Sequence, residues 1–287
     1  MTTRLIDIHS HWGTKRGYPL QSEEDLAQQQ RTWHSPPRYC TEAEMAADFR
    51  KANVRAILDF GFTKFLPIEV ARAIHDYGFA TQREHADVIL GHWIHLQPEL
   101  GKPALDEFRR CIDQRLGFIG LAVSGSGGLP SSDPAWHPFY KLCIEAKVPA
   151  LVFVGYVGLG AGLPGGKGII LDHCHPRHLD LVAARFPELT IVAARPGWPW
   201  QTETIAVLLH KANIWYELHG WSPKYFAADL KHEIARRLSD RVMFGADYPL
   251  LSYDRLVTDW RALGFSEAVL EKVFHGNAER FLSQMRR

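Results

Sequence analysis

No run of about 18 uncharged apolar residues occurs in this sequence, which excludes a membrane-spanning helix of ordinary length. The first apolar run begins at Leu5, so the expectation is a chain without a signal peptide that stays in the cytoplasm. Cysteine is scarce and dispersed. Cys40, Cys111, Cys143 and Cys174 form no CxxC pair, which excludes a zinc knuckle and a disulfide frame and fits reduced, intracellular thiols. Charge of one sign is also lacking: the net charge is +1 and the Lys and Arg residues are scattered, so neither nucleic acid nor an anionic membrane is an expected partner. No Gly-rich phosphate turn follows a strand-like run. Gly125-Ser126-Gly127-Gly128 comes after one, but no lysine or helix start follows in register, which counts against a doubly wound nucleotide-binding sheet. There is no internal repeat and no low-complexity tract.

What is present is apolar material for one large core: 287 residues, 46% of them hydrophobic and 11% aromatic, enough for a single-domain α/β protein. Eight short runs bounded by Gly, Pro or polar residues read as buried parallel strands: 5–9, 55–60, 88–96, 117–123, 149–155, 189–195, 213–218 and 241–247. Helical segments lie between them. Thr41-Glu42-Ala43-Glu44 is a capping box opening a helix to Lys51, and Pro67 starts another that runs to Tyr77. Further helices are expected over 102–115, 136–147, 176–186, 201–211, 224–238, 253–263 and 266–274. Eightfold alternation with right-handed crossovers closes most simply into a (β/α)8 barrel over 1–287. Two segments, 14–37 and the Gly-rich 155–168, read as insertions over its C-terminal mouth.

In such a barrel the C-terminal strand ends meet in one basin, where chemistry sits. Asp7-Ile8-His9-Ser10-His11-Trp12 ends the first strand, and period-two alternation turns His9 and His11 to one side. The other ends offer His95, Ser124, Phe153 and Tyr156, Arg195 followed by Trp198, Glu217 and His219, and Asp247. Strand eight closes against strand one, so Asp247 is expected beside His9 and His11. Trp12, Trp198, Trp221 and Tyr248, with Phe153 and Tyr156, are candidates for the wall of a substrate pocket. His92 and His95 read as strand packing. His173, His175 and His178 look like a second metal cluster, but Pro176 starts a helix there and a solvated helix start is the better reading.

Asp-x-His-x-His on strand one, Pro196 to Trp200 (PGWPW), Gly220 to Phe226 (GWSPKYF), FGADYPL around Asp247 and Gly276 to Leu282 (GNAERFL) together resemble the amidohydrolase superfamily. They are most similar to the amidohydrolase-related branch that includes aminocarboxymuconate-semialdehyde decarboxylase and the resorcylate decarboxylases. The resemblance implies a divalent metal, usually zinc, held by the first-strand histidine pair, a strand-five histidine and the strand-eight aspartate, with a strand-six histidine assisting. His9, His11 and Asp247 match that pattern; Phe153 stands at the strand-five position and Arg195 at the strand-six position.

Three protein ligands still suffice for a catalytic Zn or Mn. A guanidinium ~5 Å from a dication would repel it by ~6 kcal/mol at an effective dielectric of about 20, unless Arg195 turns away to hold a substrate carboxylate. His219 is open to two readings, a replacement base and a structural histidine. The expectation is an enzyme hydrolysing or decarboxylating a small carboxylated cyclic or unsaturated compound, with His9, His11, Asp247, Arg195 and His219 at its centre. Metal-independent acid/base chemistry (cyclisation, dehydration or isomerisation) and a non-catalytic ligand-binding relative are the alternatives. The resemblance also suggests a homodimer.

Overall fold

The computed structural model describes residues 3–34 and 36–285. Eight parallel strands run in sequence order, each bonded to the next: β1 Leu5–Ser10, β2 Val54–Asp59, β3 Ile89–His95, β4 Phe118–Val123, β5 Ala150–Phe153, β6 Ile191–Ala194, β7 Ile214–Glu217 and β8 Val242–Met243. The last strand is shorter than the apolar run 241–247 suggests. Beyond Met243 the chain leaves β7 and bonds to β1 instead: Ile8 N donates to Phe244 O (3.0 Å), Asp247 N to His9 O (3.1 Å) and His11 N to Tyr248 O (2.7 Å). These three bonds close the (β/α)8 barrel.

Eleven helices accompany the strands among the described residues: α1 Glu23–Trp33, α2 Glu42–Lys51, α3 Ile68–Glu84, α4 Lys102–Asp113, α5 His137–Ala146, α6 Pro176–Arg185, α7 Gln201–His210, α8 Ala228–Ile234, α9 Tyr253–Arg261, α10 Glu267–Glu271 and α11 Asn277–Met285. Both halves of the Thr41 capping box form. α3 runs past Tyr77 to Glu84, and Gly78 lets it pass close to Phe60, where a Cβ would sit 2.6 Å from that ring. The segment expected to be one helix over 224–238 instead makes a tight turn at Pro223–Tyr225, stays extended at Phe226 and Ala227, and becomes helical at Ala228. Two helices were not expected, α1 inside the first insertion and α11 at the end. None of these helices is long and apolar enough to cross a membrane.

The apolar material divides into two layers. One lies between sheet and helices; the other fills the barrel itself, with Ile6, Ile8, Ile57, Trp93, Leu151, Val192 and Met243, and Ala278 and Phe281 of α11 belong to it. Asn277, opening that helix, donates through Nδ2 to Ser239 O (2.9 Å) and Val242 O (2.7 Å), anchoring it at the start of β8. That accounts for the closing GNAERFL motif.

Between α3 and α4 the buried carboxylate of Glu107 accepts from His75 Nδ1 (2.8 Å), Arg72 Nε (3.0 Å) and Arg110 Nη2 (2.7 Å). Burial by itself would raise its pKa, but the bonds from Arg110, His75 and Arg72 hold it well below the usual carboxylate range. A depressed folded pKa contributes stability above the unfolded value, about 4.3, that is lost as pH falls through the folded one. Glu107→Gln is therefore expected to lower unfolding free energy by about 3 kcal/mol at pH 7. The gap from the parent protein, followed by urea unfolding, should narrow progressively below about pH 4.

Candidate functional site

The first strand bulges. Its pairing register with β2 shifts between Asp7 and Ser10, so Ile6 and Ile8 pack inside the barrel while His9 also turns inward, against the ring of Phe153 at 5.6 Å. His9 and His11 are neighbours as expected, with ring centroids 5.1 Å apart. Simple alternation would not have put Ile8 and His9 both inside. The bulge is held by Asp7, whose carboxylate accepts from His9 N (3.0 Å), Ala246 N (3.1 Å), Tyr253 OH (2.9 Å) and the Ser10 hydroxyl. Burial pushes Asp7 up to about 7 against those four bonds.

The strand ends then meet as designed by the barrel. Asp247 Oδ1 lies 3.1 Å from His11 Nε2. The ends of β2 and β3 contribute two further groups, of which Asp59 is not among the expected site residues. Asp59, last in β2, accepts through Oδ2 from His9 Nε2 (2.9 Å) and His95 Nε2 (2.7 Å). His95, expected to serve strand packing, thus belongs to the cluster and lines the cavity; His92 does pack, on Trp12, Phe60 and Phe79. The signal for Asp59 was a lone carboxylate closing an apolar strand, Ala-Ile-Leu-Asp.

On the opposite side Glu217, His219 and Arg195 form a chain. Glu217 accepts from His219 Nδ1 (2.5 Å) and from its backbone N (2.9 Å), and Arg195 Nε donates to His219 Nε2 (3.1 Å). This fixes His219 as the neutral tautomer with its proton on Nδ1. Gly245 makes the contact possible, since a Cβ there would lie 2.5 Å from Glu217 Oε2. Arg195 Nη1 also donates to Tyr156 O (3.1 Å), and its guanidinium sits over the Phe153 ring. Arg195 makes no ion pair with Glu217 or Asp247. Arg195 (φ 76°) and Asp247 (φ 64°) both hold left-handed backbone conformations, a strain that non-glycine residues tolerate mainly where the surroundings impose it.

A cavity of about 990 Å³ opens at this end of the barrel, and His11, Asp59, His95, Phe153, Arg195 and Asp247 reach its wall. His9 and His219 stand behind, fully buried. Both insertions roof it: Leu20, Asp25 and Trp33 come from the first, Tyr156 and Lys167 from the second. The two are tied by Lys167 Nζ to Asp25 Oδ1 (2.6 Å) and by Gln28 Nε2 to Gly158 O (3.1 Å) and Ala161 O (2.6 Å). Of the expected pocket aromatics, Phe153, Tyr156 and Trp221 line the cavity. Trp12 does not. It is fully buried, stacked on Phe60 at 4.8 Å in the layer between sheet and helices. Trp198, half exposed, packs on Tyr156 and Trp221 at the rim, and Tyr248 packs on Phe49 and Tyr253 outside the cavity. His175 caps α6 as expected of a helix start, and His178 bonds Ser132.

Among the described residues, two groups of side chains at this end of the barrel bring ligand atoms within 4.8 Å of one another, His9 with His11 and Asp59, and His9 with His219 and Asp247; a third, His75 with Glu107 and Cys111, lies between α3 and α4. In the second, both ring nitrogens of His219 are committed, to Glu217 and to Arg195. In the first, His11 Nδ1 and Asp59 Oδ1 face each other at 3.6 Å, buried and without a hydrogen-bond partner, as donors meant for a cation would be. The first group fits a divalent ion, with Asp247 at its edge.

The charges diverge sharply. Burial lowers His95 to about 4 despite Asp59 beside it, and raises Glu217 to about 7. Burial also opposes a charged His11, but the Asp247 bond and the charges of Asp59 and Asp247 outweigh it and raise its pKa. The same pairing, with the His11 and Arg195 charges, holds Asp247 well below the usual range against burial. Stability from a raised histidine is full below about pH 6.5 and is lost as pH rises through the folded value. In metal-free protein the His11 imidazole, followed by NMR, is expected to titrate above 6.5, and Asp247→Asn is expected to move that midpoint down. An unchanged midpoint would mean the pair is not formed.

The amidohydrolase family model matches residues 6–284. No curated protein sequence matches the chain. Similar crystal structures include 5-carboxyvanillate decarboxylase from Sphingomonas paucimobilis, 17% identical with a TM-score of 0.68 over 98% of this chain and 99% of that one. A dihydroxybenzoic acid decarboxylase from Polaromonas sp. JS666, with bound manganese and 2-nitroresorcinol, is 16% identical with a TM-score of 0.71 over 99% and 98%. A probable 2-pyrone-4,6-dicarboxylic acid hydrolase from Acinetobacter baumannii is 12% identical with a TM-score of 0.64 over 98% and 100%. With the family model spanning nearly the whole barrel, this chain belongs to the amidohydrolase family of enzymes.

Proposed function

We propose that this chain hydrolyses or non-oxidatively decarboxylates a small carboxylated cyclic or unsaturated compound in the cavity at the barrel mouth. The observation that carries the reading is the convergence there of an Asp247–His11 pair, an aromatic wall at Phe153 and the Arg195 guanidinium. Family membership supports the reaction class, as do relatives that act on carboxylated aromatic and pyrone compounds.

His9, His11 and Asp59 would hold a divalent metal, zinc or manganese, and when bound it would supply Lewis-acid polarisation of a substrate oxygen or an acidified water. Arg195 binds the substrate carboxylate, since its hydrogen bonds to His219 and Tyr156 O use Nε and Nη1 and, among the described residues, no carboxylate forms an ion pair with it. The Glu217–His219 pair keeps that guanidinium in place, by presenting an unprotonated Nε2 to Arg195 Nε. Phe153 offers its ring to a planar substrate, and Asp247, facing the cavity, carries a proton between substrate and water. The roofing insertions exclude bulk solvent.

A second reading is acid/base chemistry without metal, such as cyclisation, dehydration or isomerisation. It is favoured by one observation, the 3.1 Å contact of His11 Nε2 with Asp247 Oδ1, which stabilises a protonated imidazole and makes His11 a proton donor. Metal analysis and assays of 2,6-dihydroxybenzoate, 5-carboxyvanillate and 2-pyrone-4,6-dicarboxylate decide between the two. The first reading expects about one zinc or manganese per chain, turnover lost on chelation, and a fall of about 100- to 10,000-fold in Asp247→Asn. Turnover that survives chelation sinks it in favour of the second; absence of turnover and of metal sinks it outright.

A further inference from the structure

Lys64 is a buried cation with no role in the chemistry above. It follows β2 in the turn Thr63–Phe65, and the residue is only 9% exposed. The stem is wedged beneath Gly127, where a Cβ would come 3.2 Å from Lys64 Cδ. Its ammonium lines the catalytic cavity, donates to Gly61 O and lies 4.6 Å from the centre of the Phe65 ring. Among the described residues no Asp or Glu oxygen stands within ion-pair distance of Nζ. A buried ammonium with one carbonyl and one ring face is under-satisfied, because three donors and a full charge have left water. Burial accordingly lowers its pKa to about 8, with Asp59 opposing and Arg195 adding to the fall.

The position is specific to the reaction centre. Above the bare α-carbon of Gly61, a Cβ would lie 3.0 Å from Asp59 Oδ1, 3.9 Å from His11 Cε1 and 3.9 Å from Lys64 Nζ. The missing side chain thus leaves an open point where carboxylate, imidazole and ammonium all converge. Arg195 reaches the same cavity from the end of β6, bonded to His219 and Tyr156 O and, among the described residues, to no carboxylate. Two cations that face one cavity with, among the described residues, no carboxylate in ion-pair contact leave room for two anionic groups on the occupant.

We propose that Lys64 is a specificity-determining residue that pairs with a second anionic group of the substrate, so that the cavity selects dianions, a dicarboxylate or a carboxylate with an ionised oxygen, over monocarboxylates. This rests on the reading that Arg195 holds the first carboxylate. The neighbouring hydroxyls Ser124 and Ser126, 2.8 Å apart, line the same cavity and are available as further donors to that group.

Calorimetric binding to the full-length protein tests this with benzoate against phthalate, isophthalate and terephthalate, which place a second carboxylate at three spacings. The wild type should bind at least one dicarboxylate about tenfold or more tighter than benzoate, the weight of one charge-assisted hydrogen bond. Lys64→Met should erase that preference while leaving benzoate affinity unchanged, and Lys64→Arg should retain it. Equal wild-type affinity for benzoate and every dicarboxylate overturns the proposal without any variant, as does a preference that persists in Lys64→Met. Arg195→Met addresses the underlying reading separately. Benzoate binding unchanged in that variant removes Arg195 as the first anchor, and absence of binding by all four compounds overturns both assignments.

Discussion

The site depends on one seam. Hydrogen bonds between residues 8–11 and 244–248 join the two ends of the polypeptide, and they set His11 against Asp247. The seam has few ladder bonds, because β8 itself is only two residues long. Asp7 compensates. Its carboxylate binds the backbone of both sides, His9 N and Ala246 N, and the hydroxyls of Ser10 and Tyr253. One buried acid therefore closes the barrel, shapes the bulge and aims His9 inward. The first acid of the Asp-x-His-x-His motif builds the site from outside the cavity.

Charge is placed so that every buried group near the centre has a partner or an opening. Asp59 accepts from two imidazoles and stays ionised despite complete burial. Glu217 fixes the tautomer of His219, and His219 in turn receives Arg195, so a guanidinium stands at the strand-six position without a carboxylate beside it. That relay ties the guanidinium to His219 at the end of β7 and to Tyr156 O. Phe153 stands where the resemblance implies a strand-five histidine, and Asp59 at the end of β2 brings a carboxylate to His9 and His11, the group that would hold a metal in the proposed reading.

The two insertions complete the cavity by different means. The first folds a helix whose acidic Asp25 reaches Lys167 of the second, and Gln28 fills backbone carbonyls of the Gly-rich loop. Backbone groups that a flexible loop would leave to water are thus satisfied by a neighbouring segment about 130 residues away in sequence, which gives the roof a defined shape.

The barrel was legible in the sequence because its signal is local: eight apolar runs bounded by breakers, with capping chemistry such as Thr41 to Glu44 between them. Strand order makes the meeting of Asp247 with His11 a consequence of counting. The alternation rule also pairs His9 with His11. Beyond that, local pattern fails. Trp12 and His11 are adjacent in sequence, yet one is locked between sheet and helices while the other faces the cavity, since the strand has ended and the chain has turned. Asp59 and His95 sit in apolar runs that look like core, and Lys64 in an ordinary turn. What gives them meaning is which groups face them across the barrel, and that is fixed by strand stagger, by the bulge at Asp7 and by space left at Gly61 and Gly245, all products of packing between residues distant along the chain.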